Sequence, residues 1–235
     1  MLAEYRAADY FEGEGAGYGD YDWQAPAQQA TFRRVVREIV RRGFAGGDLL
    51  EVGSGHGFFL EQARSVFRTC VGTELSEQAA AVARERGLSV LVGDLQAVPP
   101  EPAYDCIFSA HVLEHVYRPH AFLAAARQRL RPSGVIVLGT PNAGSFWRRL
   151  MGRRWPSYKI PEHVQYFNAP SLARLMREAE LEDVQPFPFA HAFPLALVAR
   201  RAGVPFPQRW RDGVGRRPVW LPATTLGISA HQPAG

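Results

Sequence analysis

Apolar positions along the chain first fall into a helical rhythm between Pro26 and Arg42, where Phe32, Val35, Val36, Ile39 and Val40 share one face. Gly43, Gly46 and Gly47 end that stretch. The rhythm then changes to short, mainly apolar runs at 49–52, 69–73, 88–92, 104–109 and 135–138. Helical stretches alternate with them. One covers 58–66, another runs from the N-cap Ser76 to Arg86, a short one covers 111–116, and Pro119 opens one to Leu130. Arg131-Pro132-Ser133-Gly134 reads as a tight turn before the fifth run. Strands that are mainly apolar, without polar residues at every second position, suit a sheet covered on both faces, and short strand-to-helix connections imply parallel pairing through right-handed crossovers.

The regular alternation stops after Thr140. Residues 140–161 are rich in Arg and Trp without a period, helix resumes at 171–179, and 184–189 reads as a strand. The stretch 190–222 mixes Pro, Arg and aromatics, and a last strand fits 225–231. The expectation is a single α/β domain with helices on both faces of a doubly wound, mostly parallel, seven-stranded sheet. An arm (1–25), a core (26–189), a lid drawn from 141–165 and a C-terminal segment (190–235) divide it.

Composition narrows this picture. With 46% hydrophobic and 21% charged residues over 235 positions, the chain is globular and large enough to enclose a ligand site. No apolar run reaches the roughly 20 residues of a membrane span. The acidic, Gly/Tyr-rich start does not resemble a signal or transit peptide. Cys70 and Cys106, each inside an apolar run, read as reduced thiols, and the cytoplasm is the expected compartment. The net charge of +4 is carried almost wholly by arginine, Lys159 being the one lysine.

The chemistry starts at Glu51-x-Gly53-x-Gly55-x-Gly57, directly after the first strand. Glycines there permit a sharp turn and let a ligand lie against the backbone, and the helix that follows offers N–H groups. A nicotinamide-binding loop places its third glycine one position later; here that position is Phe58, which counts against a dehydrogenase. The segment resembles the first motif of the class I S-adenosylmethionine-dependent methyltransferases, and further matches follow in order. Glu74 closes the second strand, Asp94-Leu95 follows the third, and Tyr104-Asp-Cys-Ile-Phe-Ser109 with His111-Val-Leu-Glu-His-Val116 resembles the fourth-strand region. Leu130 to Leu138 resembles the turn and fifth strand, with Ser133 where the family often has a second glycine.

The resemblance implies a Rossmann-like methyltransferase fold and S-adenosyl-L-methionine as cofactor. It implies that Glu51, Gly53, Gly55, Gly57, Glu74, Leu75, Asp94, Leu95 and Ser109 hold that cofactor. Within it, Glu74 takes both ribose hydroxyls and Asp94 the adenine amino group, with Leu95 beside the ring.

An oxygen acceptor also needs a base. His111, Glu114 and His115, spaced i, i+3 and i+4, would share one helix face at the end of the fourth strand. Three readings stand. One histidine, or His163 from the segment expected to fold over the site, is catalytic; or these residues hold a divalent metal, as glutamate, glutamate and histidine do in the ubiquinone-pathway and small-RNA methyltransferases they resemble, with His111 here in place of the first acid, a softer ligand set; or they form a polar helix surface or support the site from behind. The base reading, with no metal assigned, names His111, His115 and His163. Arg148, Arg149, Arg153 and Arg154 among Trp147, Trp155 and Tyr158 suit an anionic acceptor or a peripheral membrane contact. Tyr5, Tyr10, Phe11, Tyr18 and Tyr21 of the arm are expected to close over the site. The expected activity is methylation of an oxygen or nitrogen of a small biosynthetic metabolite. RNA methylation and non-catalytic cofactor binding are the alternatives, and no appended RNA module supports the former.

Overall fold

The computed structural model describes residues 22–101, 103–222 and 224–234; the expected roles of Tyr5, Tyr10, Phe11, Tyr18 and Tyr21 lie outside them. Helix α1 (Ala25–Arg41) buries Phe32, Val35, Val36 and Ile39 along the face that the spacing predicts. It leads into β1 (Asp48–Val52), α2 (Phe58–Ala63), β2 (Thr69–Glu74), α3 (Glu77–Glu85) and β3 (Ser89–Val92). The Ser76 hydroxyl caps α3 by accepting from the Ala79 amide. Then come β4 (Tyr104–Ala110), α4 (Pro119–Arg127), β5 (Leu130–Pro141), α5 (Phe146–Met151), α6 (Ala169–Glu178) and β6 (Glu182–Pro186). The chain ends with β7 (His191–Pro194), α7 (Leu195–Arg201), β8 (Pro218–Leu221) and β9 (Thr225–His231).

Seven strands form one sheet in the order β3-β2-β1-β4-β5-β9-β6. The first five pair in parallel, and β9 enters antiparallel between β5 and β6. Successive residues of a strand point to opposite faces, and both faces here are apolar. Leu49 joins a cluster with α1 and α2, whereas Leu50 and Val52 join one with α4 and α6. Strand order reverses direction between β1 and β4, and ligands of open α/β sheets bind at such a switch point, beyond the carboxyl ends of the strands.

Four expectations are corrected. The tight turn at 131–134 is an irregularity inside β5; Ser133 takes φ +62° there, a left-handed conformation that explains why glycine would serve as well. The helix over 111–116 is one 3-10 turn, Leu113–His115, with His111 outside it at φ +57°. The strand over 184–189 is β6, ending at Pro186. The unpatterned stretch 190–222 contains a second, two-stranded sheet, β7 with β8. It is anchored on α1 by the Ala192 amide, which donates to the buried Thr31 hydroxyl at 2.9 Å. Cys70 and Cys106 are free thiols. No described helix is long and apolar enough to cross a membrane.

Candidate functional site

Glycine is required after β1 for two separate reasons. Gly53, Gly55 and Gly57 all have positive φ, between 51° and 79°. A Cβ on Gly53 would also lie 2.3 Å from Val112 Cγ2, so the loop after β1 and the turn after β4 pack with no room between them. The amides of Gly53 and Ser54 donate to the Thr73 carbonyl, that of Gly57 to the Ser54 carbonyl, and that of Gly55 to Glu74 Oε2 at 2.8 Å. Four loop amides are thus committed within the protein, and the expected array of N–H donors does not point outward from the glycines.

Glu74, at the end of β2, also accepts from the Ser76 amide through Oε1 at 2.9 Å and is only 7% exposed. Burial raises its pKa while these backbone donors lower it. Glu51 beside it is buried with Oε2 unpartnered; burial and the charge of Glu74 hold its proton on well above the usual carboxylate range. Two carboxyl groups and committed amides make this corner unfit for a pyrophosphate. They fit a cationic sulfonium nucleoside, because Glu74 uses only two of about four lone-pair directions and has acceptors left for ribose hydroxyls.

Leu75 follows, half-buried. Asp94 caps the 3-10 turn Leu95–Ala97 by accepting from the Gln96 amide, so one oxygen serves the loop itself. Leu95 packs with Val52, Val98 and Leu113 in the core. The Ser109 hydroxyl donates to the Val52 carbonyl, tying β4 to β1 where the strand order reverses.

The turn after β4 carries the titratable groups. The His111 amide donates to the Gly139 carbonyl at 2.7 Å, and its left-handed backbone swings the ring toward Glu114, with Nδ1 3.3 Å from Oε1. Histidine tolerates that conformation better than most residues. Glu114 is fully buried; its Oε2 accepts from the Thr140 hydroxyl at 3.0 Å, and its backbone carbonyl accepts from the Val164 and Gln165 amides. Burial works against its charge, but the His111 hydrogen bond and the surrounding imidazoles outweigh that and keep it below the usual carboxylate range. His111 Nε2 is buried and without a partner.

His115 does not share a face with His111. Its Nδ1 donates to the Glu162 carbonyl at 3.0 Å, and its ring meets that of His163 at 4.6 Å, as the approach of the 163 segment over the site requires. His163 Nδ1 donates to the Ser157 carbonyl. Burial lowers the pKa of both rings, that of His163 to about 4. Glu114, His115 and His163 each bring a ligand atom to within 4.8 Å of the others, a set with the chemistry for a divalent ion; His111 is outside it.

The lid is an excursion whose ends are joined, the Ala143 amide donating to the Phe167 carbonyl at 2.8 Å. Trp147 Nε1 donates to the Pro222 carbonyl, linking the lid to the C-terminal segment. Arg148, Arg149, Arg153 and Arg154 form no ion pair among the described residues, and exposed Phe146, Leu150 and Ile160 lie beside them in sequence. Sequence spacing missed Thr140, which is an ordinary strand residue by pattern. It also missed His191, whose four-residue strand is too short to show a period.

Comparison with known proteins bears on the family and the fold. A family model of the methyltransferase domain matches residues 25–186. A "Probable S-adenosylmethionine-dependent methyltransferase" of Mycolicibacterium smegmatis is 30% identical over 177 residues, which is 73% of this chain and 67% of that protein. A ubiquinone biosynthesis O-methyltransferase of Thiobacillus denitrificans is 32% identical over 156 residues, 60% of this chain and 67% of its own length. Among solved structures, an S-adenosylmethionine-dependent methyltransferase of Thermotoga maritima superposes with a TM-score of 0.63 at 19% identity, covering 91% of this chain and 94% of its own. Phosphoethanolamine N-methyltransferase 2 of Haemonchus contortus, in complex with S-adenosyl-L-methionine, gives 0.62 at 17% identity, covering 99% of this chain and 60% of its own. At these identities the two structures bear on the fold.

Proposed function

The chain belongs to the S-adenosylmethionine-dependent methyltransferases, and on that premise we propose that it methylates an oxygen of a small anionic biosynthetic metabolite in the cytoplasm, with His111 as general base. One observation carries this: Glu114 engages His111 Nδ1 and leaves the buried Nε2 without a partner, in the turn after β4 whose Val112 packs against Gly53 of the glycine loop. A carboxylate on Nδ1 selects the tautomer with its proton there, so Nε2 presents a lone pair. The bound cofactor supplies a methyl group on a sulfonium, which departs as a neutral thioether. The protein's task is then to align the acceptor, exclude water and take one proton.

Glu51, the three glycines, Glu74, Leu75, Asp94 and Ser109 are assigned to the cofactor, with Leu95 backing that wall from the core. His115 and His163, neutral near pH 7, are assigned to shape and polarise the acceptor side. The unpaired lid arginines support an anionic acceptor, and with Phe146, Leu150 and Ile160 they also suit contact with an anionic lipid surface. Replacing His111 with Asn is expected to leave S-adenosylhomocysteine binding intact by calorimetry. Transfer of labelled methyl to a panel of hydroxylated acids should drop by about 10²- to 10⁴-fold, the usual contribution of a general base. Transfer at the wild-type rate would refute the assignment.

A divalent ion at Glu114, His115 and His163 is the second reading, favoured by their convergence. Loss of transfer after chelation, restored by one metal, would select it over the metal-free base.

A further inference from the structure

His191 lies beyond the matched methyltransferase region, on the small β7–β8 sheet, yet its ring stands 5.4 Å from that of His111, edge to face. It is 8% exposed, it stacks on Phe193 at 4.5 Å, and its Nδ1 is buried without a hydrogen-bond partner. The nearest nitrogen of like condition is His111 Nε2, also buried and unpartnered. Buried polar atoms in native proteins are almost always satisfied, so two orphans on touching rings call for a shared partner. The rings are not bonded to each other.

We propose that His191 is a positioning and specificity residue: with His111 it forms a two-imidazole clamp that accepts a hydroxyl group of the substrate and rejects an amine. The inference rests on His111 being the base. With its Nδ1 proton directed at Glu114, His111 Nε2 accepts the O–H of the acceptor. His191 in the Nδ1–H tautomer donates to one lone pair of the same oxygen, and the second lone pair stays available for attack. The hydroxyl proton passes to His111 Nε2 as the oxygen–carbon bond forms. A neutral amine placed the same way would give its only lone pair to His191 and have none left to react. Burial, with repulsion from His111 when that ring is protonated and from Arg201 adding to it, lowers the His191 pKa to about 3, so the ring stays neutral and keeps both a donor and an acceptor nitrogen at neutral pH.

The position is built for this contact. The Ala192 amide is held by the buried Thr31 hydroxyl of α1, which fixes the strand next to His191. Gly139, whose carbonyl holds the His111 amide, has no side chain, and a Cβ there would meet the Phe189 ring at 2.5 Å. Phe189 in turn lies 6.2 Å from the His111 ring, while His191 stacks on Phe193, so each imidazole has an aromatic support of its own.

The test uses the whole chain with S-adenosylhomocysteine bound and ¹⁵N-labelled histidine, with phenol, aniline and toluene as probes. His111→Asn and His191→Asn assign the two imidazole signals. The expected result is that His191 carries its proton on Nδ1 and that phenol, but not toluene, moves the nitrogen signals of both rings. Phenol affinity should fall about 5- to 10-fold in His191→Phe, the size of one net hydrogen bond, and recover in part in His191→Asn, which keeps a donor. In methyl-transfer assays the ratio of hydroxyl to amine methylation should fall in His191→Phe. A bare Nδ1 on His191, a shift confined to one ring, or equal phenol affinity in both variants would overturn the clamp. Calorimetry on the same samples keeps the two claims apart. Loss of S-adenosylhomocysteine binding by the wild-type chain would refute the cofactor site itself, whereas intact binding with a silent His191 refutes only this inference.

Discussion

Glu74 offers the cleanest quantitative test, because cofactor affinity can be measured without knowing the acceptor. Its carboxylate holds the Gly55 and Ser76 amides at 2.8 and 2.9 Å and keeps lone pairs for a ligand. Removing it therefore has two separable effects. Hydrogen bonds to a charged acceptor are worth about 1.5–3 kcal/mol, so losing one bond to the ribose should weaken S-adenosylhomocysteine binding by about 10- to 150-fold. Glu74→Ala also strands two buried amides at about 1–3 kcal/mol each. At roughly 2–4 °C of melting temperature per kcal/mol for a chain of this size, that loss is easily seen. Glu74→Gln keeps one acceptor oxygen and should melt between wild type and Ala while binding nearly as weakly as Ala. Isothermal calorimetry and thermal unfolding of the three proteins decide the matter. A folded Glu74→Ala protein that melts lower but binds with wild-type affinity would show that the carboxylate is only a structural cap.

Three further outcomes follow from the packing and charge. Gly53→Ala should destabilise the fold by at least the 1–2 kcal/mol or so of a left-handed alanine; adding Val112→Ala should relieve the side-chain clash and leave the backbone cost, a difference read by denaturant titration. Hydrogen bonding to Arg41, opposed by burial and helped by Arg42, lowers the Glu38 pKa from 4.5 to about 2. Its contribution is thus present above pH 4.5 and fades as the pH falls toward 2; Glu38→Gln should be less stable than wild type by under about 1 kcal/mol at pH 7, with the gap closing in acid. Flotation with anionic vesicles should carry the wild-type chain at low salt and lose it when Phe146 and Leu150 are both changed to Ser; co-flotation of the double variant would remove the lid from that role.

The parts of the molecule that were legible in advance are those where one physical rule acts along a long enough stretch. Five short, mainly apolar runs separated by helical stretches mark the parallel strands, and the sequence pattern puts the last strand at 225–231, where β9 lies. The pairing of His111 with Glu114 was also expected, but through a helix face; the structure makes it through a left-handed residue, and nothing in the residue types of 109–113 signals that sign of φ. His115 was misplaced for the same reason, since a 3-10 turn rotates it away toward His163. Strands β7 and β8 each have four residues and a proline at one end, Pro194 and Pro218, so neither could show alternation. His191 went unseen with them.

The chain leaves the main sheet after Pro186 and returns at Thr225, and those two departure points are neighbours, closed by the Phe187 amide donating to the Gly227 carbonyl at 3.0 Å. Loop closure depends only weakly on length, so behind a sealed neck the mostly exposed part of the detour, 202–213, can lengthen or shorten at little cost, while β7 stays pinned to α1 through Ala192 and Thr31. His191 rides on that detour, while His111 belongs to the body. Under the proposed clamp, the group that selects the acceptor and the groups that hold the methyl donor thus sit on separate parts of the chain.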